Sequence, residues 1–138
     1  MKQSEKVIRF IEEFLTLGGS FYGEPFKLMD FQKDIITKIF ETDDDGRRKI
    51  RTSICGLSRK SGKSQLISGI GCYMLCADDA DKAPVVICAA GDRQQARILF
   101  NECSRMIEMS PELSSVCTVY RNEIQCHRNG GVLRVISR

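Results

Sequence analysis

The sequence predicts an α/β fold: a single domain with helices at its N-terminus, parallel strands in its middle and a β-hairpin region at its C-terminal end. Three observations carry this. Two segments of helical period open the chain, and apolar strand-like runs then alternate with helical segments between residues 50 and 109. Beyond Pro111 the pattern changes to three short β-rich runs separated by turn residues. Residues 1–49 read as an N-terminal helical segment and residues 50–138 as the core, within one domain overall.

The elements follow in order. In "SEKVIRFIEEFLTL", Ser4 is placed to cap a helix whose apolar positions are Val7, Ile8, Ile11, Phe14 and Leu15, and Gly18-Gly19 is expected to end it. "KLMDFQKDIITKIFE" reads as a second amphipathic helix, with Asp30 as cap and Phe31, Ile35, Ile36, Ile39 and Phe40 near one inner face. "KIRTSICGL" is β-rich and predicts a strand at about 50–57. A helix over 63–77 follows, apolar on more than one side. "PVVICAA" is an apolar strand of the kind covered on both faces in a parallel sheet. The next helix starts near Asp92, where a carboxylate suits the positive end of the helix dipole, and stops at Ser110-Pro111. "VCTVY", "EIQCHR" and "VLRVISR" complete the chain, with Asn129-Gly130 as a hairpin signal.

Composition excludes several classes. The 138 residues are 42% hydrophobic and 28% charged, as in ordinary globular domains rather than disordered chains. The net charge of +3, from 21 basic and 18 acidic residues, is too mild to argue for nucleic acid by itself. No run approaches the roughly 20 apolar residues of a membrane span, and the charged N-terminus lacks the apolar core of a signal peptide, so a soluble intracellular protein is expected. The seven cysteines are odd in number, form no CxxC pair and sit partly inside apolar runs. They read as small buried hydrophobes in a reducing compartment. Cys117, Cys126 and His127 sketch a metal site, but zinc asks for four well-spaced ligands.

The chemistry concentrates in "GLSRKSGKSQLISGIG". A strand, a tight loop, Gly62-Lys63-Ser64 and a helix form the context in which a short GKS becomes a phosphate site. Unpaired N–H groups at the helix start point at an anion, and the helix dipole favours it there. Gly62 lets the backbone approach phosphates without a Cβ in the way. Lys63 would bond β- and γ-phosphate oxygens, and Ser64 would hold Mg²⁺ through its hydroxyl. Arg59 offers a planar fork suited to a phosphoryl group in its transition state, and Lys60 adds charge beside it. The competing reading is a solvated basic turn. The glycine that should open the loop is absent: Leu57 holds that position and Gly56 sits one place early.

This stretch resembles the altered Walker A segment of the large terminase subunit of tailed bacteriophages, in which the first glycine is often missing and an Arg-Lys pair precedes GKS or GKT. Upstream, "GEPFKLMDFQKDIITKIF" is similar to the family segment in which a glutamine reads the adenine edge, and Gln32 is the matching position. Downstream, "VVICAAGDRQQARILFNECSRMIEMSPEL" resembles the following strand and helix, and "LRVISR" the strand leading towards Walker B. The resemblance runs from about Phe10 to Arg138. It implies a partial P-loop NTPase-type core that binds ATP and Mg²⁺ through Gln32, Ser58, Arg59, Lys60, Ser61, Gly62, Lys63 and Ser64, with Lys63 and Arg59 in catalytic roles and Ser64 on the metal. It further implies double-stranded DNA, the portal protein and the small terminase subunit as partners of the full protein, a homo-oligomer, and the host bacterial cytoplasm as location.

Departures qualify that implication. A large terminase is several times longer. The Asp-Glu pair that follows the last strand in the family, and the acidic nuclease domain, are not in this chain. Asp92 reads better as a helix cap than as a Walker B acid, because no Glu follows it. The expectation is therefore the front part of an ATPase with negligible hydrolysis by itself. Two other functions compete. A glutamine before a P-loop also occurs in helicase-like ATPases. Arg93, Arg97 and Arg105, recurring along one helix, sketch a non-catalytic nucleic-acid-binding module whose affinity would fall with salt.

Overall fold

The computed structural model describes residues 2–54, 62–78 and 82–137. Its elements are α1 (Gln3–Phe14), a 3₁₀ turn at Gly19–Phe21, α2 (Asp30–Ile39), α3 (Lys63–Cys76), β1 (Val85–Ala90), α4 (Arg93–Met109), α5 (Pro111–Ser114), β2 (Cys117–Val119), β3 (Glu123–Cys126) and β4 (Gly131–Ser137). The strands form one sheet in the order β1-β4-β3-β2. β1 and β4 run parallel, with Val86 opposite Leu133 and Cys88 opposite Val135. β2, β3 and β4 form an antiparallel meander. The mixed sheet follows from its connections: tight turns join the last three strands, whereas the chain passes from β1 to its parallel partner β4 through α4, α5, β2 and β3.

Helices α3 and α4 pack on each other and on one face of the sheet, and α1 packs on α2 and α3. One core results, built from Val7, Ile11, Leu66, Leu75, Phe100 and Leu133 among others. Gly69 permits the close approach of α1 to α3, since a Cβ there would lie 3.3 Å from Ile11 Cδ1. α3 is buried on several sides, as its all-round apolar sequence requires. Asp92 caps α4 by accepting a 2.8 Å hydrogen bond from the Gln94 N–H.

Outside the cleft, the structure departs from or refines the sequence reading as follows. Lys2, not Ser4, occupies the N-cap of α1, and Ser4 is buried inside the helix. α1 ends at Phe14, before Gly18-Gly19, because Leu15 turns extended and Thr16 bridges to Pro25. The described part of the expected 50–57 strand, residues 50–54, lies outside any strand, and the rest lies outside the described residues. No described strand pairs with it, and β-propensity alone does not hold an unpaired segment in a sheet. Among the described residues β1 is covered on one face: α3 and α4 bury Cys88, while Val85 and Ile87 remain 60% and 52% exposed. Finally, Ser110-Pro111 ends α4 but also starts the short α5. Ser110 Oγ accepts from the Leu113 N–H, and Pro111 takes the first helical position, where a missing N–H costs nothing.

Candidate functional site

The N-terminus of α3 faces the start of α2 across a cleft of about 820 Å³. This is the size range of small-molecule sites. Gly62 is the N-cap of α3 with φ 80°, a left-handed conformation that an L side chain adopts at a cost. This glycine therefore turns the chain into the helix besides sparing room. A Cβ built on it would lie 3.1 Å from Gln32 Nε2, so the two sequence-predicted residues, 30 positions apart, are neighbours.

Gln32 is buried, at 4% exposure, and does not lie on an open helix face. Its Oε1 accepts a 2.9 Å hydrogen bond from the Met29 N–H at the start of α2. That satisfies a donor the helix leaves unpaired and fixes the amide plane, with Nε2 on the Gly62 side. Asp30, expected as the cap of α2, is instead its first residue.

The cleft wall is largely apolar. Phe21, Met29 and Phe31, at 60%, 63% and 39% exposure, line it. Phe31 thus belongs to the cleft and not to the inner face of α2, which Ile36 and Phe40 occupy. Apolar side chains gathered around a concavity mark a ligand surface more than scattered exposed ones do. Gln65, one turn into α3, also lines the cleft. Its Oε1 is buried and has no hydrogen-bond partner among the described residues. The sequence reading passed over Gln65; its only signal was its place directly after Gly62-Lys63-Ser64.

Lys63 and Ser64 are exposed in the first turn of α3. Ser58, Arg59, Lys60 and Ser61, with the missing-glycine position Leu57, lie outside the described residues. The arginines of α4 are placed individually. Arg105 is fastened within the fold: Nη2 donates to Thr16 O at 2.9 Å, it pairs with Glu102, and its guanidinium lies 5.9 Å over the Tyr22 ring. It secures the 16–22 loop that supplies part of the cleft wall. Arg97 donates to Arg121 O at 2.6 Å and to Asn122 Oδ1. Arg93 borders a smaller hollow of about 280 Å³ beside Arg97 and Ile136. The periodic arginines of the sequence therefore do not form one free row.

Among the described residues no helix is long and apolar enough to cross a membrane. The profile of the family described as terminase large subunit, ATPase domain, matches residues 30–138. The large terminase subunit of Enterobacteria phage HK97 is 33% identical over 117 residues, which is 84% of this chain and 22% of that protein. The crystal structure of the HK97 bacteriophage large terminase superposes with a TM-score of 0.84 at 28% identity, covering 99% of this chain and 28% of that one. The chain thus spans about a quarter of the length of these relatives. The α/β architecture, with α3 starting at a glycine turn and a sheet containing a parallel pair, is that of the P-loop-type terminase ATPase fold, and the chain belongs to the family of terminase large subunit ATPase domains.

Proposed function

We propose that this chain is the nucleotide-holding front part of a phage DNA-packaging motor, and that the cleft between α2 and α3 takes ATP. The observation that carries the reading is the meeting of Gln32, Gly62 and an apolar wall at the N-terminus of α3. The adenine ring rests on the apolar wall, where ring and side chains are desolvated together. Gln32 Nε2 donates to an acceptor on the base edge, while its Oε1 stays on the Met29 N–H. The unpartnered Gln65 Oε1 accepts from an exocyclic amino group. The phosphates lie at the start of α3, on its free N–H groups and Lys63.

The family implies Mg²⁺. Among the described residues no group of three or more carboxylate or imidazole ligands occurs, and the described ligand would be the Ser64 hydroxyl in the first turn of α3. One protein oxygen fits an ion that keeps waters and takes phosphate oxygens. When bound, the ion neutralises charge on the β- and γ-phosphates. Lys63 and Arg59 complete the positive field, with Ser58, Lys60 and Ser61 shaping the loop. Turnover, double-stranded DNA, the portal protein and the small subunit belong to the longer protein, which works as a homo-oligomer in the host cytoplasm.

The test is binding of a fluorescent non-hydrolysable ATP analogue to the wild type and to Lys63→Ala. Lys63 is exposed, so folding is unaffected and affinity falls at least about tenfold, the loss of one charge-assisted contact. Equal affinity of the two proteins rules the phosphate site out.

A further inference from the structure

A second constellation lies at the opposite end of α3. Cys76, in the last turn of that helix, Cys117 on β2 and Cys126 on β3 are buried, and their three sulfurs lie within 4.8 Å of one another. The Cys76 and Cys117 sulfurs are 3.6 Å apart. Cys117 and Cys126 oppose each other directly in the antiparallel ladder, so the register brings two of the thiols together and the helix brings the third.

We propose that these three cysteines form a binding site for a single thiophilic d¹⁰ cation, such as zinc, cadmium or copper(I). Size argues for it first. With metal–sulfur bonds of about 2.3 Å, a tetrahedral site holds its sulfurs about 3.8 Å apart and a trigonal one about 4.0 Å apart. One pair, Cys76 and Cys117, already stands near such a separation at 3.6 Å, and all three sulfurs lie within 4.8 Å of one another, so shifts below about 1 Å close the site. Packing alone explains one buried thiol as a small hydrophobe.

The surroundings argue for it second. The turn after Cys126 holds the trio together, and outer contacts of this kind keep ligands in place around metals. The same turn grips the helix: Arg128 Nη2 donates to Cys76 O at 2.8 Å, and Asn129 Nδ2 donates to Leu75 O at 2.8 Å. The helix end carrying Cys76 is thereby fixed against the hairpin.

Binding a divalent ion converts three S–H groups to thiolates, forms three metal–sulfur bonds and releases three protons to solvent, leaving a centre of net charge −1. His127 is exposed, with its Nε2 2.6 Å from Thr118 Oγ1, and is not a fourth ligand in this geometry. Three-coordination suits copper(I), and a water completes zinc or cadmium. Entry requires only local opening of β2, a three-residue strand at the sheet edge.

The experiment is an anaerobic titration of the reduced full chain with cadmium, followed by thiolate-to-cadmium ultraviolet absorption, proton release and thermal unfolding. The expected result is one ion per chain, three protons released per ion and a raised Tm, because the ion binds only the folded arrangement. Cys117→Ala and Cys126→Ala lose the one-ion band and the Tm shift, while Cys88→Ala, away from the trio, keeps both. The wild-type stoichiometry stands even if an alanine variant fails to fold. Absence of the band in the folded wild type, or its survival in Cys117→Ala, overturns the proposal.

Discussion

Gln32 caps α2 in the structure and reads the base in the proposed site, and two substitutions separate the two roles. Gln32→Ala removes the 2.9 Å bond to the Met29 N–H and empties a position that is 4% exposed. The lost cap costs about 1 kcal/mol, and the lost buried methylene about 0.8 kcal/mol. Together they destabilise by roughly 2 kcal/mol, a factor of about 30 in the folded-to-unfolded ratio. Gln32→Glu keeps the acceptor; the helix dipole favours its charge in the first turn of α2, while burial at this position opposes it. The two effects act against each other, and urea unfolding reads their difference. What is lost is the Nε2 donor towards the base, worth about 1 kcal/mol net, or about fivefold in affinity. The assay pairs urea unfolding with competition by ATP and GTP against a labelled analogue. Repulsion of the phosphates by the new carboxylate would weaken both nucleotides alike, so the ratio of the two affinities is the discriminating quantity. An unchanged ATP-to-GTP ratio in Gln32→Glu refutes base reading by Gln32, and an unchanged urea midpoint in Gln32→Ala refutes the capping role.

Three further outcomes are expected. Gly62→Ala forces a side chain into a left-handed conformation beside Gln32 Nε2, which costs roughly 1 to 2 kcal/mol in urea unfolding and weakens analogue binding as well. Arg48→Met removes one 2.8 Å charge-assisted contact from the Asp78 carboxylate, 1% exposed, which keeps its 3.3 Å hydrogen bond from Gln3 Nε2. The loss is about 2 kcal/mol by urea unfolding, and a loss below about 0.5 kcal/mol would mean that the contact is solvated in solution. Arg105→Ala releases the 16–22 loop from α4, so analogue affinity falls although no charge of the phosphate site is touched; DNA affinity that falls while analogue affinity holds would return Arg105 to a nucleic-acid role.

Local patterns made much of this legible before any tertiary contact was known. The helices are written in apolar spacing and the Asp92 cap in its position. The turn of β3 into β4 is written in Asn129-Gly130, with Gly130 at φ 75°. Gly62-Lys63-Ser64 before an apolar run identified the start of α3 because the chemistry of a phosphate loop is contained within a few consecutive residues. The end of α1 was misread because Thr16 is held by Pro25 and Arg105, partners 9 and 89 residues away, which outweigh two glycines nearby. The 50–54 segment was misread because a strand exists only with a partner.

The sequence by itself determined the kinds of element and the phosphate-loop signature, since both depend on neighbours within a turn or two of chain. Only the tertiary structure decided that Gln32 meets Gly62, that Phe21, Met29 and Phe31 form one wall, and that Cys76 joins Cys117 and Cys126. The first joins residues 30 positions apart, the wall gathers a loop and a helix start, and Cys76 lies 41 positions before Cys117; helix packing and sheet register fix these meetings, which no local pattern encodes.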